Sequence, residues 1–337
     1  MTDNNLESRI RKMKKEVIER LQSINIQTAK VDSWNNPEYL KKILSNVDGQ
    51  VDDMPAGEYI LDFDIIIRKN GLLRLKPGTI LKFDYDKGII CTGTFYAKGV
   101  KGNEIIFTSH EDGWANIILL DEDSSNSILD YCSVSKGRGR EEIGMVDNIM
   151  TGFPGSQSGG GIRILRSSPQ ISNSSIYNNE FIDGGGIGIK GGDAKILNCK
   201  MYNNTADLFG GGIYIEDDSN AIIRNCHIYR NRTQGWSSAG GGIYVDSTEY
   251  PDIQYNDIRE NQANSGAGVS IGGFGNGNPT FRKNTVTFNV AKDRSGGVSL
   301  PIIGELSFDK PNYKYEFAKE NMLNYNTIHS NTPNDVS

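Results

Sequence analysis

GGGIRI at 159–164, GGGIGI at 184–189, GGGIYI at 210–215, GGGIYV at 240–245, GAGVSI at 266–271 and SGGVSL at 295–300 are versions of one phrase, spaced by 25, 26, 30, 26 and 29 residues. A hairpin folds back within a few residues, so a period of this length is one coil of a solenoid. Strand alternation turns two apolar side chains of each phrase inward: Ile162 and Ile164, Ile187 and Ile189, Ile213 and Ile215, Ile243 and Val245. Equivalent positions should then pile up from coil to coil.

A second motif lies between the phrases. ISNSSIYNN from 171, ILNCKMYNN from 196, IRNCHIYRN from 223, IQYNDIREN from 253, FRKNTVTFN from 281 and LNYNTIHSN from 323 align without gaps. Each ends on an Asn, at 179, 204, 231, 261, 289 and 331. Asn tolerates bent backbone and can bond its counterpart one coil away, so these six predict a stacked column at a corner. A neighbouring column holds Cys132, Ser174, Cys199, Cys226, Asn256, Asn284 and Asn326, all small enough for the inside of a bend. Coils stack at about 4.8 Å, which leaves a Cys199–Cys226 disulfide geometrically open. Buried free thiols acting as small hydrophobes are the preferred reading, and no zinc or disulfide framework is visible.

Upstream, YILDFDIIIR, GLLRLKPGTILKF, GIICTGTFYAKG, NEIIFTS, WANIILL and SILDYCSVS read as short strands broken by turns, hence as earlier and less regular coils. Lys136–Ser158 reads as an insertion, and Pro301–Asn321 as either a helix or a loose excursion. The first 50 residues differ. Leu6, Ile10, Met13, Val17, Leu21 and Ile24 follow a helical period, and a second helical piece is expected over Pro37–Leu44. The predicted division is therefore 1–50 as a helical cap or association segment and 51–337 as the solenoid. The first helix either covers unpaired strand edges or self-associates into a homo-oligomer.

Composition limits the function. Hydrophobic residues make up 36% of the 337, lean for a globule but adequate for a solenoid. A net charge of −6 without a basic tract argues against nucleic acid. No stretch approaches the roughly 18 apolar residues of a membrane span. Met1–Ile24 is charged throughout and lacks the apolar core of a secretory leader, so the expectation is a cytoplasmic protein, or one trimmed or exported by a non-classical route.

Over residues 57–331 these motifs resemble the right-handed parallel β-helix superfamily of pectate lyases and related carbohydrate-active proteins. The resemblance implies an all-β, single-stranded right-handed parallel β-helix with a short N-terminal α-helical cap, and a polysaccharide or other glycan as partner. It specifies the fold well and the reaction poorly. The NTD, DD, GHG and RIK clusters of polygalacturonase-type hydrolases are not assembled, with Gly192 and Asp193 only a fragment of one, and no DPH-type epimerase signature is present.

Alternation also fixes what faces outward. One column is Arg163, Gly188, Tyr214, Tyr244, Ser270 and Ser299; the next is Leu165, Lys190, Glu216, Asp246, Gly272 and Pro301. Glu216 and Asp246 would be like charges one coil apart, with Asp217 and Asp218 at the turn, which asks for a compensating cation. Ca²⁺ is the natural candidate, held by Glu216, Asp246 and Asp217, and no organic cofactor is expected. This resembles a lyase of uronic acid polysaccharide, with Lys190 as base and Arg163 holding the substrate carboxylate. The plainer reading is a solvated surface with a weak Lys190–Glu216 pair. Tyr214, Tyr244, Trp236, Phe209 and Asp207, with Phe181 alongside, would form a sugar-binding wall. Tyr177, Tyr202 and Tyr229 form an outward ladder explained by stacking alone, and His227 has no visible partner for catalysis. Two functions stay open: a carbohydrate-binding β-helix with a calcium-assisted lyase activity, or a non-catalytic scaffold, adhesin or spike.

Overall fold

The computed structural model describes residues 15–16, 33–140, 145–146, 149–150, 158–246, 251–272, 279–300, 325–333 and 336. The helix expected over Leu6–Ile24 lies outside them except for Lys15 and Glu16, which are helical, and Pro301–Asn321 lies outside them altogether. The chain divides into Met1–Ile43 and Leu44–Ser337. Helix α1 spans Pro37–Leu44 as expected. Asn36 caps it, its Oδ1 accepting the Glu38 and Tyr39 N–H groups at 2.9 and 3.1 Å, and Pro37 follows where a missing N–H costs nothing. No described helix is long and apolar enough to cross a membrane.

Leu44–Ser337 is an all-β parallel solenoid of about 8 turns. Successive coils contribute one strand each to three long sheets of nine, eight and ten strands. The glycine phrases build the first sheet, where Ile162, Ile187, Ile213, Ile243 and Val269 lie in register and are wholly buried. Each such side chain contributes about 2 kcal/mol through burial. The phrase itself has a steric reason. Gly210 adopts φ +64°, and a Cβ there would lie 2.3 Å from the Ile213 carbonyl oxygen. A Cβ on Gly211 would meet the Arg232 and Gly241 carbonyls of the next coil at 2.5 Å.

Both corner columns form as expected. In the first, each Asn donates its backbone N–H and Nδ2 to Oδ1 of the Asn one coil on, from Asn179 through Asn204, Asn231, Asn261 and Asn289 to Asn331, all at 2.9–3.1 Å. Nδ2 also donates to a carbonyl at the bend, Met201 O for Asn231 at 2.9 Å. These side chains replace the strand ladder where the backbone turns, so buried polar groups stay paired. The second column bonds likewise from Asn256 to Asn284 to Asn326. Its Cys132, Cys199 and Cys226 are free and buried, as is Cys91, so the disulfide left open by spacing is not made. Cys199 and Cys226 Sγ instead lie 3.3 Å from the Leu197 and Arg224 carbonyls, as donors.

One element was not anticipated. The stretches leading into the glycine phrases are strands of a fourth sheet: Glu180–Asp183, Thr205–Phe209, Arg232–Thr233, Gln262–Ser265 and Val290–Arg294. Phe181, Ala206, Thr233, Ala263 and Ala291 are its buried positions, most of them small, which is why no apolar run marked it. Within Lys136–Ser158, Met145–Val146 and Ile149–Met150 pair antiparallel, consistent with an insertion that leaves the coil path.

Candidate functional site

The outward columns of the first sheet fall in the expected register: Arg163 beside Gly188, then Tyr214, Tyr244 and Ser270, and Leu165 beside Lys190, then Glu216 and Asp246. Pro301 lies outside the described residues. The face divides sharply along its length. In the early coils Ile66, Ile90, Ile118, Leu120 and Leu165 form one buried apolar cluster. Beyond Gly188 the same columns turn aromatic and charged.

Arg163 belongs to the covered half, against the expectation that it meets a substrate. It is 2% exposed. Its Nε donates to Ser158 O at 2.6 Å and Nη2 to Arg140 O at 3.3 Å, and its guanidinium lies 5.4 Å from the centre of the Phe181 ring. Burial, with Arg140 nearby, lowers its pKa to about 10. Arg140, also buried, reaches across the face to Asp64 at 2.5 Å and Asp86 at 3.7 Å. The base of the insertion therefore straps down the early coils, and Arg163 braces that strap.

The polar half is a tight cluster. Lys190 Nζ lies 3.5 Å from Glu216 Oε1 and 3.3 Å from Asp217 Oδ2. Tyr214 donates its hydroxyl to Glu216 Oε2 at 3.3 Å, while the buried Oε1 is met by the Lys190 ammonium. Burial raises the Glu216 pKa against the opposing pull of Lys190, and burial with Asp217 nearby raises that of Asp246. Asp183, which sequence reasoning missed, joins from the fourth sheet. Its Oδ1 accepts the Phe209 N–H at 2.9 Å, yet burial, aided by Glu216 and Asp207, pushes its carboxyl up to about 7. Its only mark in the sequence is its place immediately before Gly184, where the strand delivers it to the first sheet.

Three rings lie beside these carboxyls, Phe209 and Tyr244 half-buried and Tyr214 buried at 7% exposure. Phe209 stacks on Tyr244 with centroids 4.5 Å apart, Tyr214 lies 5.6 Å from Tyr244, and Phe209 lies 6.4 Å from Tyr214. Burial and adjacent carboxylates raise both tyrosines, Tyr244 to about 12. A Cβ on Gly272 would lie 2.3 Å from the Tyr244 hydroxyl, so the glycine makes room for that ring.

The remaining expected wall residues diverge. Phe181 is 7% exposed and packs over the strap, Asp207 is exposed, and Trp236 is 94% exposed on the loop after Arg232–Thr233. Tyr177, Tyr202 and Tyr229 stack at 4.9 and 5.1 Å, a coil-to-coil ladder. His227 Nδ1 lies 3.3 Å from Asp257, away from the carboxyl cluster. Among the described residues no group of three or more His, Cys, Asp or Glu side chains is placed to hold a metal ion.

A family model for the right-handed beta helix region matches residues 155–301. Together with the coil geometry it supports membership of the β-helix repeat superfamily. A stretch of 62 residues, 18% of this chain, is 47% identical to Protein bark beetle of Drosophila melanogaster and spans 2% of that protein's length. No solved structure matches the chain.

Proposed function

We propose that this chain is a carbohydrate-binding β-helix protein whose first sheet carries a glycan site, with Asp183 and Glu216 as a proton-transfer pair. What supports this is the meeting of a carboxyl near neutrality, Asp183 at about 7, with a second raised carboxyl and three stacked rings on one patch. Carboxylates accept sugar hydroxyls and aromatic surfaces pack on sugar faces. Asp183, raised to about 7, is protonated in about half of the molecules at neutral pH and can pass that proton to a glycosidic oxygen, while Glu216, drawn toward its ionised form by Lys190, serves as the base.

Four carboxyls, Asp183, Glu216, Asp217 and Asp246, face one ammonium, Lys190, a balance that favours an uncharged glycan over a polyuronate. Calcium held by Glu216, Asp217 and Asp246 would reverse that preference by neutralising a uronate carboxylate. As arranged, the donor set does not fit that ion, because the Lys190 ammonium already lies against both Glu216 and Asp217. No step is assigned to calcium.

The test is affinity electrophoresis and product assay of the whole chain with neutral β-linked polysaccharides and with polygalacturonate, each with and without calcium. A neutral polysaccharide should retard wild type but not Tyr244→Ala, and new reducing ends should disappear in Asp183→Asn. Retardation without any cleavage removes the proton-transfer role and leaves a binder. Unsaturated product from polygalacturonate that needs calcium and Lys190 makes the protein a lyase and overturns the neutral-glycan reading.

A further inference from the structure

A cleft of about 410 Å³ runs along the corner where the third sheet passes into the first and borders the carboxyl cluster at Asp207. Its volume falls in the usual range for ligand sites, about 300–1,000 Å³. The walls are drawn from six successive coils: Tyr85 and Asp86, then Trp114, Arg138, Glu180, Asp207 and Gln234. These turns feed strands that begin at Ile89, Ile117, Ile162, Ile187, Ile213 and Ile243, each paired with the next. Five coil-to-coil steps make the cleft about 24 Å long.

We infer that this cleft is a second binding site, for a linear, uncharged oligosaccharide lying parallel to the solenoid axis; the inference rests on the glycan reading above. Its floor is apolar and immobile. Trp114 is 1% exposed, donates its indole N–H to Ser135 O at 2.7 Å and stacks on Phe83, and Phe181 is buried beside it. Its walls are polar and fixed across the coils, with Arg138 3.0 Å from Glu180 and the Gln234 amide donating to Asp207 at 3.0 Å. Asp86 is held similarly by Arg140. A carboxylate has about four acceptor positions, so each keeps capacity for sugar hydroxyls after its one contact.

Charge and shape choose the occupant. Asp86, Glu180 and Asp207 outnumber the single lining cation, Arg138, which is spoken for by Glu180, so a polyanion is repelled. The walls offer side chains where an extended peptide would need an exposed strand edge to pair its backbone. An exposed ring lines one end, and a second follows the last lining residue in the chain at the other. Tyr85 is 71% exposed in the first of the six coils, and Trp236, 94% exposed, lies two residues beyond Gln234 in the last. Two platforms at opposite ends measure a ligand's length.

Titration calorimetry of the whole chain with neutral β-1,4-linked gluco- and xylo-oligosaccharides of increasing length tests this. Tyr85→Ala and Trp236→Ala alter exposed side chains and should leave the melting temperature unchanged. Each should weaken a long oligosaccharide about tenfold, whereas a short one should respond to one substitution only. Affinity that ignores both substitutions and is lost in Tyr244→Ala removes the cleft and leaves the first-sheet site standing. Tighter binding of polygalacturonate or of an unstructured polyserine peptide overturns the assignment to an uncharged sugar, and no binding of any neutral oligosaccharide overturns both sites.

Discussion

Removing one rung from the middle of the asparagine column should cost far more than an average buried polar substitution. Asn231→Ala deletes four hydrogen bonds: Nδ2 to Met201 O and to Asn261 Oδ1, and those that Oδ1 accepts from Asn204 N and Nδ2. The Asn231 backbone N–H keeps its bond to Asn261, and Asn204 Nδ2 keeps Ile176 O. What remains orphaned is the Asn204 N–H, at a position where the side chain is 0% exposed, whereas the Met201 carbonyl keeps its place in the strand ladder with Tyr229. One unsatisfied buried N–H at about 1–3 kcal/mol, with about 1 kcal/mol net for each of the other three lost bonds, gives a loss of about 4–6 kcal/mol. Because a repeat array need not unfold in one step, the assay is native-state hydrogen exchange at Asn204 and its neighbours alongside urea unfolding. Exposed Gln262→Ala is the control. If Asn231→Ala costs no more than that control and leaves the Asn204 amide as protected as in wild type, the column is not what holds the bend.

Three other outcomes are expected. Because Asp183 is more basic folded than unfolded, the native state binds its proton more tightly between about pH 4 and 7, so its share of stability is present at acid pH and lost as pH rises through about 7; Asp183→Asn should remove that slope from the difference between wild-type and variant melting curves, and an unchanged slope would contradict the raised carboxyl. All four cysteines should resist a thiol reagent in the native protein and react once it is denatured, since burial raises the thiols of Cys91 to about 12 and of Cys132 and Cys199 above their usual range. Gly211→Ala should destabilise by more than about 3 kcal/mol in thermal unfolding, since its Cβ meets two backbone carbonyls at 2.5 Å; near-wild-type stability would mean the coils can separate locally.

Residues that recur at a fixed register were legible in the sequence. Asn204, Asn231 and Asn261 could be read as neighbours because each repeats the same position of a coil, and Tyr214 over Tyr244 and Glu216 over Asp246 followed from alternation alone. What escaped lacks a repeat. Asp183 has no acidic counterpart in the fourth sheet, where Phe209 and Ser265 occupy the related positions, and its raised pKa comes from burial among carboxyls of other strands. Arg163 looked outward and hence solvated because its column was read only toward the C-terminus. Toward the N-terminus that column is Ile118, Ile90 and Ile66, an apolar run that signals a covered face. The corner cleft takes a different residue type from each coil, so no column of like residues announces it.

The asparagine column has a direction. Between rungs every Asn donates forward and accepts from behind, so the bonds along the column share one direction, opening where Gly137 N donates to Asn179 Oδ1 and running on to Asn331. A coil spliced in or cut out as a complete unit presents the same acceptor below and the same donors above, and the chain of bonds closes over it. A part-coil indel would carry the next rung out of register and break the chain of bonds there. Chains of this kind can lengthen or shorten by whole laps at little energetic penalty, and laps inserted between Asn179 and Asn331 would carry the polar face of the first sheet upward intact.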